Sequence, residues 1–230
     1  MKTDVEIHEV VAVCDRAGVT FGHGPAAVVA LTEATCSLRR GDRIALIGPS
    51  GSGKSTFLHL LAGLQPATNG SVVWPGVSIE DLRPGRVGIV FQSPSLIPSL
   101  DVVENVALPL LLMGRSRTEA RAAAVEALAR LDVLDLANKL PEEVSGGQSQ
   151  RVATARVLAQ RPTLILADEP TGQLDYAAAS VVIDALLAAA AETGAALVVS
   201  THDPEIGARL DRQWSLADGG LTIRDVSCSA

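Results

Sequence analysis

The sequence predicts an α/β fold with a mostly parallel core sheet, and three observations carry that expectation. Four apolar runs, Arg43–Ile47, 87–91, 163–167 and 195–200, do not alternate with polar residues, as suits strands buried on both faces. Helical patterns at 54–62, 118–130 and 177–191 lie between them, and strands that alternate with helices make a layered α/β domain. A glycine-rich run ending in Lys54-Ser55 joins the first apolar run to the first helical pattern, the setting of a phosphate-binding loop.

Taken in order, the first forty residues differ from the rest. Residues 6–14 and 28–38 are rich in Val, Thr and Ala around a Gly/Pro connection at 22–25, which predicts antiparallel strands flanking the core. Gly63 follows the helical pattern at 54–62 as its C′ residue. Ser116 and Glu119 stand as a capping-box pair at the entrance to 118–130. A further helical pattern spans 150–159, and 177–191 ends near Gly194. No repeat or low-complexity segment interrupts the chain.

The bulk properties narrow the function. A length of 230 residues suits one domain, and 47% hydrophobic against 3% aromatic residues means an aliphatic core. With a net charge of −7 and only Lys2, Lys54 and Lys139 as lysines, a nucleic-acid-binding surface is not expected, because that needs clustered cations to displace counterions. Cys14, Cys36 and Cys228 fit no zinc or redox spacing and read as reduced cytosolic thiols. Residues 1–10 hold Asp4, Glu6 and Glu9 and no apolar run, so no signal peptide is expected there. Glu104 breaks the greasy stretch 102–114, while Asp184 and Glu192 break 181–200. Neither offers an uninterrupted spanning segment of roughly 18 residues, so a membrane role would be borrowed from a partner.

Gly48-Pro49-Ser50-Gly51-Ser52-Gly53-Lys54-Ser55, followed by Thr56, matches G-x-x-x-x-G-K-[ST]. Glycines let the backbone wrap a phosphate chain without a Cβ clash. The N–H groups and the positive end of the following helix then face anionic oxygens. Lys54 is placed to reach the β- and γ-phosphates and Ser55 to ligate Mg²⁺. This much establishes a nucleoside triphosphate site, which kinases, GTPases and motor ATPases share. The run 163–169 is an apolar strand ending in Asp168-Glu169. Asp168 suits the Mg²⁺ acid of a P-loop enzyme, and Glu169 suits the residue that orients or deprotonates the attacking water.

Val144-Ser145-Gly146-Gly147-Gln148 resembles the LSGGQ signature of ABC ATPases, and Asp168-Glu169-Pro170-Thr171 resembles their D-E-P-[ST] continuation. The resemblance spans roughly 6–223. It implies a P-loop NTPase core of the ABC type, an N-terminal antiparallel β subdomain and an inserted helical subdomain at about 93–160. It also implies ATP and Mg²⁺, and a head-to-tail homodimer in which Ser145, Gly146, Gly147 and Gln148 close over ATP held by the opposite subunit. Gln92 is similar to the Q-loop glutamine that senses Mg²⁺ and the water, and His202 to the switch histidine on the γ-phosphate. Gly172-Gln173-Leu174-Asp175 is similar to the D-loop, with Gln173 where Asn is usual. Phe21 stands where the family usually has a Tyr on adenine, and it either stacks there or packs in the core.

Residues 92–114 resemble the branch of lipoprotein-releasing and macrolide-exporting ATPases, the LolD and MacB types, with FtsE as a close cousin. That implies a subunit on the cytoplasmic face of the cell membrane, energising an FtsX/MacB-like permease with few spans. The alternative is an FtsE-like mechanotransmitter that moves a non-transporting partner and regulates a cell-wall enzyme. The apolar stretch 102–113 serves either this partner or the packing of the helical subdomain, and one helix can do both. A soluble ABC protein acting on DNA or ribosomes would want a basic surface or a second cassette, and neither is present.

Overall fold

The computed structural model describes residues 10–224, apart from the side chain of Arg224. Contacts divide the chain into two units, residues 1–82 with 196–230, and residues 83–195.

The first unit opens with β1 (Val10–Phe21) and β2 (Val28–Arg39), paired antiparallel. The first strand was expected to end at Cys14, yet it continues to Phe21. A bulge between Cys14 and Ala17, with Arg16 left-handed at φ 45°, lets pairing resume past the polar Asp15-Arg16 pair. The expected start at residues 6–9 lies outside the described residues. β3 (Arg43–Ile47) leads into α1 (Lys54–Leu61), which Gly63 closes at φ 65° with its N–H on the Leu60 carbonyl. Trp74 donates its indole N–H to the Leu61 carbonyl at 3.0 Å, satisfying another group at that helix end. It follows β4 (Asn69–Val73), an edge strand on β1 that the sequence pattern did not announce.

The second unit begins with β5 (Val87–Val90) and continues through α2 (Val102–Leu112), α3 (Arg117–Arg130) and α4 (Gly146–Leu158). It closes with β6 (Leu164–Asp168), parallel to β5, and α5 (Tyr176–Thr193). The capping boxes are the clearest local logic here. Ser116 Oγ accepts from the Glu119 N–H while the Glu119 carboxylate accepts from the Ser116 N–H, and Asp101 with Glu104 does the same for α2. Gly194 ends α5 in the left-handed conformation, as expected. By length and composition α5 could cross a membrane. Its Val182, Ile183, Leu186 and Ala190 are nevertheless buried in the protein, as in a core helix.

The chain returns to the first unit through β7 (Ala196–Ser200), the short α6 (Pro204–Gly207), β8 (Arg212–Ala217) and β9 (Gly220–Arg224). β7 and β8 lie parallel to β3 on either side of it, and β8 turns into β9 as an antiparallel hairpin. The turn is Asp218-Gly219, both at positive φ, the chemistry of a two-residue hairpin loop. Phe57 of α1 meets Trp214 of β8 with ring centroids 6.3 Å apart, both fully buried. This ring pair seats the helix that carries Lys54 on its sheet.

Candidate nucleotide and signature sites

In a parallel α/β sheet, ligand-binding residues collect beyond the carboxyl ends of the strands, and each unit shows such an edge. In the first unit, Leu46 of β3 lies opposite Ser200 of β7. Two residues further on come Gly48 and His202, so the glycine-rich loop and His202 leave adjacent strands at the same level. The Thr201 N–H donates to the Leu46 carbonyl at 3.1 Å and pins the residue before His202. Asp203 caps α6 through the Glu205 N–H at 2.8 Å and pins the residue after it. The His202 side chain between them is exposed.

The loop's shape demands its glycines. Gly51 and Gly53 sit at φ 78° and 100°, a region costly for a residue with a Cβ. At Gly53 a Cβ would also strike the Ala30 carbonyl oxygen, and at Gly48 the Leu216 carbonyl oxygen. Lys54 is 7% exposed, and its Nζ donates to the carbonyls of Gly48 and Pro49 at 2.9 and 3.1 Å, so the ammonium is folded over the loop. Ser52 Oγ is buried without a hydrogen-bond partner among the described residues. Pro49, Ser50 and Gly51 are exposed, while Ser55 and Thr56 are half-buried in the first turn of α1. Phe21 closes β1 at 45% exposure opposite Val28 at 62%. Of its two expected roles, core packing does not suit a ring this accessible.

In the second unit, Val90 of β5 lies opposite Ala167 of β6. Gln92 thus stands past one strand end as Asp168 and Glu169 close the adjacent one. Asp168 is buried at 3% exposure. Glu169 holds φ 42°, a strained conformation for a non-glycine residue and one that collects at functional positions. Its carbonyl accepts the Gly172 N–H at 3.2 Å, turning the chain sharply after the strand. Taken each in its own unit, the Ser55 hydroxyl and the Asp168 carboxylate are oxygens of the hard kind that Mg²⁺ prefers. Among the described residues no group of three or more His, Cys, Asp or Glu forms a metal cage.

The signature is itself a helix start. Ser145 Oγ accepts from the Gln148 N–H at 3.2 Å, and Gln148 Oε1 accepts from the Ser145 N–H at 2.8 Å. This capping box starts α4 at Gly146, four residues ahead of the expected 150. It commits the Ser145 and Gln148 side chains to shaping the turn. The Gly146 and Gly147 N–H groups, at the positive end of a 13-residue helix, find no acceptor among the described residues. A Cβ on Gly147 would come within 3.1 Å of Leu174 Cδ2, and one on Gly146 within 3.6 Å of Gln173 Oε1. The D-loop therefore packs against the signature glycines. Asp175 ends that loop by capping α5 through the Ala178 N–H at 2.8 Å.

Three residues not anticipated from the sequence fix the chain on either side of Gln92. Gln150 of α4 donates from Nε2 to the Phe91 carbonyl at 3.0 Å. Arg156 of the same helix donates to the Ser95 carbonyl at 2.7 Å and to Ser95 Oγ at 3.0 Å. Asn105 of α2, 1% exposed, accepts from the Ile97 N–H and donates to the carbonyls of Ile97, Leu100 and Asp101. Burial pulls the Arg156 guanidinium pKa down.

Known proteins bear on these observations. The family described as ABC transporter matches residues 31–172. The lipoprotein-releasing system ATP-binding protein LolD of Bordetella avium is 40% identical over 87% of this chain and 91% of that protein. LolD of Legionella pneumophila is 38% identical over 95% of this chain and 100% of its own length. Among solved structures, the dimeric post-hydrolysis state of the ATP-binding cassette MJ0796 bound to ADP and Pi superposes with a TM-score of 0.87 at 34% identity. It covers 94% of this chain and 99% of that one.

Proposed function

The chain belongs to the ABC transporter family and is an ATP-binding, ATP-hydrolysing subunit of an ABC transporter, and we propose that it drives a LolD-type lipoprotein-releasing complex. In this reading two copies pair head to tail on the cytoplasmic face of the membrane and energise an FtsX/MacB-like permease with few spans. One observation carries the pairing: the same chain offers a phosphate loop and, separately, a helix start whose two glycine N–H groups have no acceptor among the described residues. A second copy's γ-phosphate is the natural acceptor for the Gly146 and Gly147 groups.

The residues divide the work as follows. Phe21 stacks on adenine, the N–H groups from Gly48 to Thr56 surround the phosphates, and Lys54 meets the β- and γ-oxygens. Ser55, Asp168 and Gln92 would hold Mg²⁺, which when bound would neutralise charge on the phosphate oxygens. Glu169, held by its strained turn, takes or orients the proton of the attacking water, and His202 holds the γ-phosphate oxygen. Ser145, Gly146 and Gly147, shaped by Gln148 and backed by the Asp175 loop, cap the partner's γ-phosphate. Loss of that phosphate removes the contacts that close the dimer.

The permease docks on the inserted helical part, about 93–160. Support comes from α2, which buries Val102, Val103, Val106 and Leu110 while leaving Leu111, Leu112 and Met113 exposed. Beside it lies a groove of about 320 Å³ with Leu108 and Leu111 on one wall and Arg117 and Arg121 on the other.

The test is capture from native membranes with the Glu169→Gln chain held in MgATP, followed by mass spectrometry. A permease with few spans and a large external domain, together with lipoprotein-handling companions, is the expected result. Recovery of a cell-wall hydrolase with the permease would replace transport by mechanotransmission. Recovery of soluble proteins alone would overturn the membrane reading.

A further inference from the structure

Gln150 and Arg156 are poor choices for stability alone. Gln150 is 2% exposed, yet its Oε1 has no hydrogen-bond partner among the described residues. A buried, unsatisfied amide oxygen is destabilising, and an apolar side chain of the same size would be better tolerated there. Arg156 is a partly buried guanidinium whose side-chain acceptors are the two oxygens of Ser95, and among the described residues no carboxylate pairs with it. Removing a cation from water without a counter-charge is likewise costly. What both residues do achieve is geometric. They grip the chain at Phe91 and Ser95, on either side of Gln92, and both grips come from the helix that starts at the signature glycines. At 1.5 Å of rise per residue, Gln150 sits only about 4.5 Å along the axis from Gly147, and Arg156 about 13.5 Å.

We propose that Gln150 and Arg156 are positioning residues that make the signature helix and the Gln92 segment one mechanical body. Docking of Gly146-Gly147 on the partner's nucleotide then sets the placement of Gln92. The proposal rests on the reading of Gln92 as a hydrolysis residue. Neither Gln150 nor Arg156 touches substrate; each acts through the backbone that carries Gln92.

The experiment is a double-mutant cycle on the full-length protein, reading kcat and KM for ATP. Gln150→Met and Arg156→Lys keep volume or charge while losing the amide donor or the two-pronged grip. Each is combined with Gln92→Ala, and thermal melting checks the fold. With Gln92 present, each variant is expected to lower kcat by about 10- to 10²-fold, the cost of a misplaced group, with KM changed less than about 2-fold. In the Gln92→Ala background the same substitutions should change kcat less than about 2-fold, because nothing remains to be positioned. Equal losses in both backgrounds would mean a merely structural role and overturn the link while leaving Gln92 intact. No loss with Gln92 present would overturn it equally. Normal turnover in Gln92→Ala alone would overturn the reading of Gln92 and the link with it.

Discussion

Replacing Gly147 by Ala separates folding from function at the signature. The residue is the second of α4 and has helical backbone geometry, so Ala is conformationally welcome. Helix propensity favours it by up to about 1 kcal/mol in a helix interior and by less at the first turn. Against this stands the new methyl at 3.1 Å from Leu174 Cδ2, a contact relieved by a small rotation of one flexible side chain. The two effects nearly cancel, and stability should change by less than about 1 kcal/mol. The catalytic effect does not cancel. The methyl stands beside the N–H pair proposed to meet the partner's γ-phosphate, and a displacement approaching 1 Å costs about 10²-fold in rate, or about 2.7 kcal/mol of barrier. Urea unfolding measures the first quantity and steady-state phosphate release the second, with ATP binding to the monomer unchanged. Unaltered turnover would refute the placement of the phosphate at this helix start. A loss of several kcal/mol of stability would refute the claim that Leu174 can give way.

Glu169→Gln should lower turnover by roughly 10²- to 10⁴-fold, the range for removing a positioned base, while nucleotide binding persists; near-normal phosphate release would remove Glu169 from the mechanism. For Lys54→Ala, the loss of charge-assisted hydrogen bonds predicts about 10- to 10²-fold weaker ATP binding by calorimetry, and an unchanged affinity would count against the loop's role. The Cys14 thiol, hydrogen-bonded to Cys36 across the β1–β2 pair and buried, is pushed far above its ordinary value. A raised folded-state pKa gives stability that is complete below the unfolded value of about 8.5 and declines above it, by up to about 1.4 kcal/mol per pH unit. Urea midpoints between pH 7 and 10 should fall more steeply for the native chain than for Cys14→Ala, and parallel profiles would contradict this.

What could be read from the sequence was whatever is encoded by neighbours. The phosphate loop, the Ser116–Glu119 box and the glycines closing α1 and α5 each depend on residues within a few positions, and each stands where the pattern put it. Two short-range signals were present but passed over: Ser145-x-x-Gln148 as a cap for α4, and Asp218-Gly219 as the hairpin turn between β8 and β9. The length of β1 was hidden for a different reason. A bulge at Asp15-Arg16 interrupts the apolar rhythm without ending the strand, and the Arg16 N–H, donated to Thr35 Oγ1 of β2, helps hold it in place. Gln150 and Arg156 leave no mark at all in local pattern, because their acceptors lie 59 and 61 residues away. A polar residue on a helix declares its partner only once the fold has brought the two together.

The carbonyl oxygens of Ala30 and Leu216, pressed against Gly53 and Gly48, have a thermodynamic consequence. They belong to β2 and β8, so the loop's contour is moulded by strands already set when the chain folds. Ordering backbone costs about 1–2 kcal/mol per residue. Across a loop of this length the total rivals the roughly 8 kcal/mol of a micromolar binding event. Were the loop shaped by each arriving nucleotide, much of the affinity would be cancelled on every cycle. Casting it in advance leaves the full binding free energy for bringing two subunits together.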